Sequence, residues 1–224
     1  MTQSNTFTQF SIVFTAKSNN PTILNPDFLK FNNIVGEEWE LKTPPLCAEP
    51  LSQVLYKNNV GITSQLDKII FFKNDTQLDK DAFKIIYDIA KGYLNLVPLV
   101  NYTGVGINTN SFIEISEDTK AHQYLIDNFL NIKIKESGIS IENLGFKFSV
   151  PVGNDVVCNI EFSPMKTVQE EKEIHKIIIS SNFHHPVNMA IDKKIQSMKD
   201  IIDGYQNIVQ KLENDILPFF IGGE

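Results

Sequence analysis

The chain has 224 residues, 42% of them hydrophobic and 21% charged, which is enough for one large domain or two small ones with a buried core. With only 11 glycines, 10 prolines and 2 cysteines it is not collagen-like, low-complexity or disulfide-stapled. All 20 basic residues are lysines, set against 27 acids for a net charge of −7. Without an arginine fork for phosphate or a guanine edge, and with an acidic balance that repels polyanions, nucleic acid is not an expected partner.

The N-terminal stretch MTQSNTFTQF lacks the basic and apolar regions of a signal peptide, and no run approaches the roughly 18 apolar residues of a membrane span. A cytoplasmic protein with no membrane association is expected. Residues 8–16 alternate Phe10, Ile12, Phe14 and Ala16 against Ser11, Val13 and Thr15, the period of a β-strand. Asn25-Pro26-Asp27 supplies a cap, a first-turn proline and an acid for a helix through Phe28, Leu29 and Phe31 that should stop near Gly36. A proline-rich loop carrying Cys47 leads to LSQVLYKNNVGITS, a hairpin turning at Asn58-Asn59. DKIIFFKN follows, apolar on both faces and therefore a central strand. A helix is predicted from Asp79 to Asn95, with Phe83, Ile86, Tyr87, Ala90 and Leu94 at helical spacing.

Beyond it lie a strand over VPLVNYTGVGIN, a helix over AHQYLIDNFL, and the strands GFKFSVPV and VVCNIEF joined by a turn at Gly153-Asn154-Asp155. The strand EIHKIIISSNF is next, its preceding QEEKE segment reading as a solvated hairpin tip, and a long helix over 189–217 completes the chain. About eight strands in consecutive runs, with some four helices interposed, predict an α+β fold. Mainly antiparallel sheet packed by helices should end in a long C-terminal amphipathic helix. No linker divides residues 1–224, so one domain is expected, compatible with two similar αβ halves at about 1–115 and 116–224.

Chemistry-bearing patterns are sparse. Gly104 and Gly106 leave a bare patch on one strand face, but Thr109 and Asn110 stand where a dinucleotide fingerprint needs its third glycine. The four histidines, His122, His175, His184 and His185, form no HxH, HxxxH or pattern with paired cysteines, so neither a metal nor a cofactor is expected. Cys158 shares its strand face with Val156, Ile160 and Phe162 and should be buried and inert. Cys158 with His175 is nevertheless the best nucleophile–base pair available if their strands lie side by side. Among GEEWE, Trp39 reads as an anchor that packs its loop onto the core. A ligand-binding reading collects Gly104, Gly106, Asn108, His175 and His184 into a pocket between sheet and helices.

The last helix has the most specific pattern. Ile191, Ile195, Met198, Ile202, Tyr205, Val209, Leu212 and Ile216 recur at alternating spacings of four and three, a heptad seam. Ile201 and Ile208 widen the stripe to that of a helix docked on its own domain, and Lys193-Lys194 reads as a solvated face. A helix of about 28 residues spans about 42 Å, more than one sheet face commonly covers. The overhang predicts a homo-oligomer, a dimer held by Ile195, Ile202, Tyr205, Val209, Leu212 and Ile216 together with the PFFI tail that follows once Pro218 stops the helix.

The phrases FSIVFTAKSNNPTILNPDFLKFNNIVGEEWEL, VLYKNNVGI, LVNYTGVGIN and SSNFHHP, in that order, resemble a sporadically distributed family of uncharacterised bacterial proteins. The resemblance implies a soluble α+β protein with no activity or catalytic residue to carry over, and its patchy distribution suits an accessory role. The function expected is a non-enzymatic interaction protein that self-associates or engages another protein. The alternative is a small-molecule-binding or hydrolytic domain.

Overall fold

The computed structural model describes residues 5–115, 119–130, 141, 144–153 and 155–221. Asn154 of the turn predicted at Gly153-Asn154-Asp155 lies outside them. In chain order the elements are β1 (Thr6–Ala16), α1 (Pro26–Phe31), β2 (Leu46–Cys47), β3 (Leu51–Leu55), β4 (Val60–Gln65), β5 (Lys68–Asn74), α2 (Lys80–Leu96), β6 (Tyr102–Glu114) and α3 (Ala121–Phe129). They continue with β7 (Phe146–Gly153), β8 (Val156–Gln169), β9 (Lys172–Pro186), α4 (Ile191–Asp203), α5 (Tyr205–Lys211), a π turn (Leu212–Ile216) and α6 (Leu217–Ile221). The architecture is the expected α+β, built on one antiparallel sheet of nine strands in the order β2-β3-β4-β5-β1-β6-β9-β8-β7.

That order contains a repeat. In the first round β1 and α1 precede the meander β3-β4-β5, which returns to pair with β1, and α2 follows. In the second, β6 and α3 precede β7-β8-β9, which returns to pair with β6, and the C-terminal helices follow. The rounds join in the 97–101 segment and meet in space where β1 and β6 run antiparallel, Ile12 opposite Ile107.

Local chemistry explains most boundaries. Asn25 caps α1 by accepting from the Phe28 N–H at 2.8 Å, and Asp79 caps α2 by accepting from the Ala82 N–H at 2.8 Å. Helix α1 stops short of Gly36 because Asn33 takes a left-handed φ of 55°, and the Asn32 side chain turns back to the Phe28 carbonyl at 2.8 Å. At the QEEKE tip Glu170 and Glu171 have φ of 49° and 65°, the two-residue turn whose twist suits a hairpin.

The sheet has two unlike faces. Phe10, Ile12, Phe14, Ile69, Phe71, Val105, Ile107, Ile177, Ile179, Ile160 and Phe162 point to one side, and all of them are fully buried there. The helices cover this side. Phe83 of α2 stacks on Phe10 at 4.5 Å, Phe129 of α3 lies 4.9 Å from Phe146, and Tyr205 meets Phe10 at 5.7 Å. Cys158 is buried in the same layer, as its strand pattern predicts.

The C-terminal helix departs from expectation. It is not a straight rod over 189–217: it breaks at Gly204, whose ψ is near 3°, and its N–H is shared among the carbonyls of Asp200, Ile201 and Ile202. Pro218 does not end it either. The wide π turn at Leu212–Ile216 relieves the clash a proline ring makes with the preceding turn, and α6 continues through it. Bent in this way the helix stays on the sheet, from Lys194 beside the start of β6 to Phe220 against Phe148 and Phe162.

The seam expected to hold a second copy is therefore already filled. Ile202 and Leu212 are fully buried, Tyr205, Val209 and Ile216 are buried, and Ile195 packs against the same core, all within one chain. Lys194, read as solvated, is also buried, its Nζ donating to the Tyr102 carbonyl at 2.7 Å and to Asn101 Oδ1 at 3.3 Å. Asp203 closes the helix pair, accepting from Lys91 at 2.7 Å and from the Tyr87 hydroxyl at 2.8 Å. No helix among the described residues is long and apolar enough to cross a membrane.

Candidate functional site

The other face of the sheet carries no helix among the described residues, and its side chains follow from strand parity. Register aligns them in rows across the strands. One row reads Phe72, Ser11, Asn108, Asn182 and Asn159 from β5 to β8. A second reads Asn74, Gln9, Asn110, Ser180 and Glu161, and a third Ile70, Val13, Gly106, His184 and Val157.

Asparagine is disfavoured in central strands, so an amide row there needs cross-strand partners. It has them. Asn108 Nδ2 donates to Ser11 Oγ at 3.2 Å, Asn182 Nδ2 donates to Asn108 Oδ1 in a short bond, and Asn110 Nδ2 donates to Gln9 Oε1 at 2.5 Å. Further out, Ser149 donates to Asn159 Oδ1 at 2.7 Å. The two rows centred on Asn108 and Gly106 contain no acid or lysine. Charge gathers instead toward the strand ends, where Lys176 lies 3.1 Å from Glu114 and 3.9 Å from the centre of the Phe112 ring.

Two glycines on this face are there because something lies on them. A Cβ at Gly61 would sit inside the Phe72 ring, and one at Gly104 would lie 3.0 Å from each of Thr15 Oγ1, the His184 ring and the His185 carbonyl. A bulge at Thr103 makes the Gly104 placement possible, since Ala16 pairs with Tyr102 but Thr15 with Gly104. Tyr102 thus turns into the core against Phe14 at 5.7 Å, while Gly104 faces the opposite way.

The structure brings four of the five predicted ligand residues together, Gly104, Gly106, Asn108 and His184, but on the uncovered face and not between sheet and helices. His175 is not with them. It lies on the helix side, opposite Lys166 and nine residues along β9 from His184, about 30 Å at strand rise. There its ring nitrogen is 3.9 Å from Glu173, beside Lys120, His122 and Lys166.

The Cys158–His175 pairing does not form: β8 and β9 are neighbours, but Cys158 pairs with Phe183. Burial pushes its thiol up to about 12, the opposite of an activated nucleophile. His185 points to the helix side, and burial lowers its pKa. Trp39 acts as the predicted anchor, its ring edge-on to buried Tyr56 at 5.3 Å. Among the described residues, no three His, Cys, Asp or Glu side chains are placed to hold a metal ion.

Sequence reasoning missed Gln9, Ser11, Asn110, Ser180 and Asn182. The signal was available as amides and hydroxyls at every second position of strands whose alternate residues are apolar. No protein-family model matches the chain, and no curated protein matches its sequence.

Proposed function

We propose that the protein is a non-enzymatic interaction protein that self-associates through the uncovered face of its sheet. The observation that carries this reading is the uncharged centre of that face, an amide and hydroxyl ladder flanked by Val13, Ile70, Phe72, Phe112 and Ile178, in a chain of net charge −7. A two-fold contact sets each patch against its own copy and so needs chemistry that complements itself. Asparagine, glutamine and serine both donate and accept, and a neutral centre brings no like charges together. An apolar and amide centre with charge at the rim is the ordinary anatomy of an interface.

Size supports the same reading. Nine strands of 2 to 15 residues, at about 4.8 Å spacing and about 3.3 Å rise per residue, present about 1,300 Å², against about 800 Å² per partner in a standard interface. The free thiols Cys47 and Cys158 suit a reducing cytoplasm. The resemblance to sporadically distributed bacterial proteins suits an accessory role.

Sedimentation velocity over about 1–100 μM tests the reading, the upper end spanning typical weak-dimer affinities. The wild type should form a dimer, and Val13→Glu and Ile178→Glu should each give a monomer with unchanged circular dichroism. A wild type that stays monomeric at the top of the range, or a dimer indifferent to both substitutions, overturns it.

A further inference from the structure

His184 stands in a central row of the uncovered face, between Gly106 of β6 and Val157 of β8. Its ring occupies space that a side chain at Gly104 would take: a Cβ there would lie 3.0 Å from the ring's Cε1 and 3.0 Å from Thr15 Oγ1. The bare strand thus lets the imidazole lie along the face instead of standing at its edge. In the single chain His184 is exposed, and a second copy seated on the face covers it.

An imidazole ordinarily gains a proton, and with it a positive charge, between pH 8 and pH 5.5. In water that charge is solvated. Beneath a second copy it is costly unless a carboxylate answers it. The groups that face His184 supply none: Gly104, Gly106 and Thr15 on one side, Val157 on the other, and Asn182 and Pro186 along β9 itself. Charged side chains of this face lie farther out. Glu161 is four residues along β8 from Val157, Lys68 is across Thr15 from Gly104, and Asp155 is in the exposed turn that opens β8. His185, next in the chain, turns to the helix side. A two-fold contact brings only the same face again, and its central rows hold no acid. We infer that self-association through this face is switched by pH, with His184 neutral in the dimer and its protonation driving the copies apart. The inference rests on the reading of the face as a self-association surface. Protonation does reversibly what Val13→Glu does permanently, placing an unanswered charge at the centre of the contact.

Sedimentation velocity of the full chain at pH 8 and pH 5.5, at one ionic strength, tests it. At pH 8 the wild type should dimerise, and a monomer there overturns the reading of the face and the inference with it. At pH 5.5 the dissociation constant should be at least tenfold higher with circular dichroism unchanged, since each dimer holds two such rings. His184→Gln and His184→Asn should dimerise at pH 8 and keep their dissociation constants within twofold at pH 5.5. His122→Gln and His175→Gln, altered away from this face, should respond as the wild type does. A wild-type dimer equally tight at both pH values overturns the switch and leaves the dimer standing. So does a response to acid that both His184 variants retain.

Discussion

Replacing Ile202 with alanine separates two uses of the C-terminal helix. If the seam served a second copy, truncating Ile202 would dissociate an oligomer and leave the fold intact. In the structure Ile202 is fully buried within the chain, one residue before the Asp203 tie to α2 and three before Tyr205 packs on Phe10. Truncating a buried isoleucine to alanine costs about 2–5 kcal/mol, the lost transfer free energy plus the cavity left behind. For a domain of this length each kcal/mol lowers the melting temperature by about 2–4 °C, so a drop of about 7–14 °C is expected for a mid-range cost of about 3.5 kcal/mol. Scanning calorimetry, with sedimentation before and after, reads both quantities. Lys193→Ala, at an exposed position of the same helix, is the control and should shift melting by less than about 2 °C, within the range of surface substitutions. An Ile202→Ala protein that melts like wild type yet changes its sedimentation coefficient would refute the reasoning and restore the seam to an interface.

Thiol labelling distinguishes the cysteines: at pH 8 one equivalent of reagent should react quickly at exposed Cys47, and Cys158, buried with its thiol pushed up to about 12, should react only when denaturant opens the sheet. Gly61→Ala should destabilise by about 1–3 kcal/mol in urea titration because Phe72 must leave its place, whereas Gly106→Ala, whose new methyl would sit 3.4 Å or more from its neighbours, should cost less than about 1 kcal/mol. The hydrogen bond from Lys91 lowers the Asp203 carboxyl below its ordinary 3.8, so its stabilisation is present above that value and fades as pH falls through the lowered one. With Asp203 about half exposed the contribution is only about 0.5–1 kcal/mol, and urea midpoints of wild type and Asp203→Asn should differ at pH 7 and converge near pH 2.

Strand identity was legible because period-two alternation is a local property: Phe10, Ile12 and Phe14 had to share a face whatever lay beyond them. The caps at Asn25 and Asp79 were legible for the same reason, since a cap needs only its own first turn. The bend at Gly204 was not, because a heptad count is blind to a glycine beside the seam, and the straight length it implied created an overhang that the bent helix does not have. Placement of the candidate site shows both outcomes. Gly104, Gly106 and Asn108 share a face by spacing, but which face the helices cover is decided by tertiary packing. His175 and His184, nine apart in one strand, belong on opposite faces by parity, and grouping them overlooked a rule the residues themselves supply.

The path of the C-terminal helix bears on how the molecule comes into being. Tyr205 packs on Phe10, so a residue laid into the first strand waits for one made almost two hundred residues later. Phe220 likewise completes the aromatic layer of Phe148 and Phe162. The sheet can pair strand by strand and α2 can cover β1 and β5 as soon as it forms, yet the part of the core side beneath the C-terminal helices stays open until residues 205–220 have been made. Such distant closures slow folding, because the loop entropy is lost before the contacts that repay it can form. Chains truncated before Gly204 thus leave Phe10, Phe148 and Phe162 without their C-terminal cover, and apolar surface exposed in that way favours aggregation.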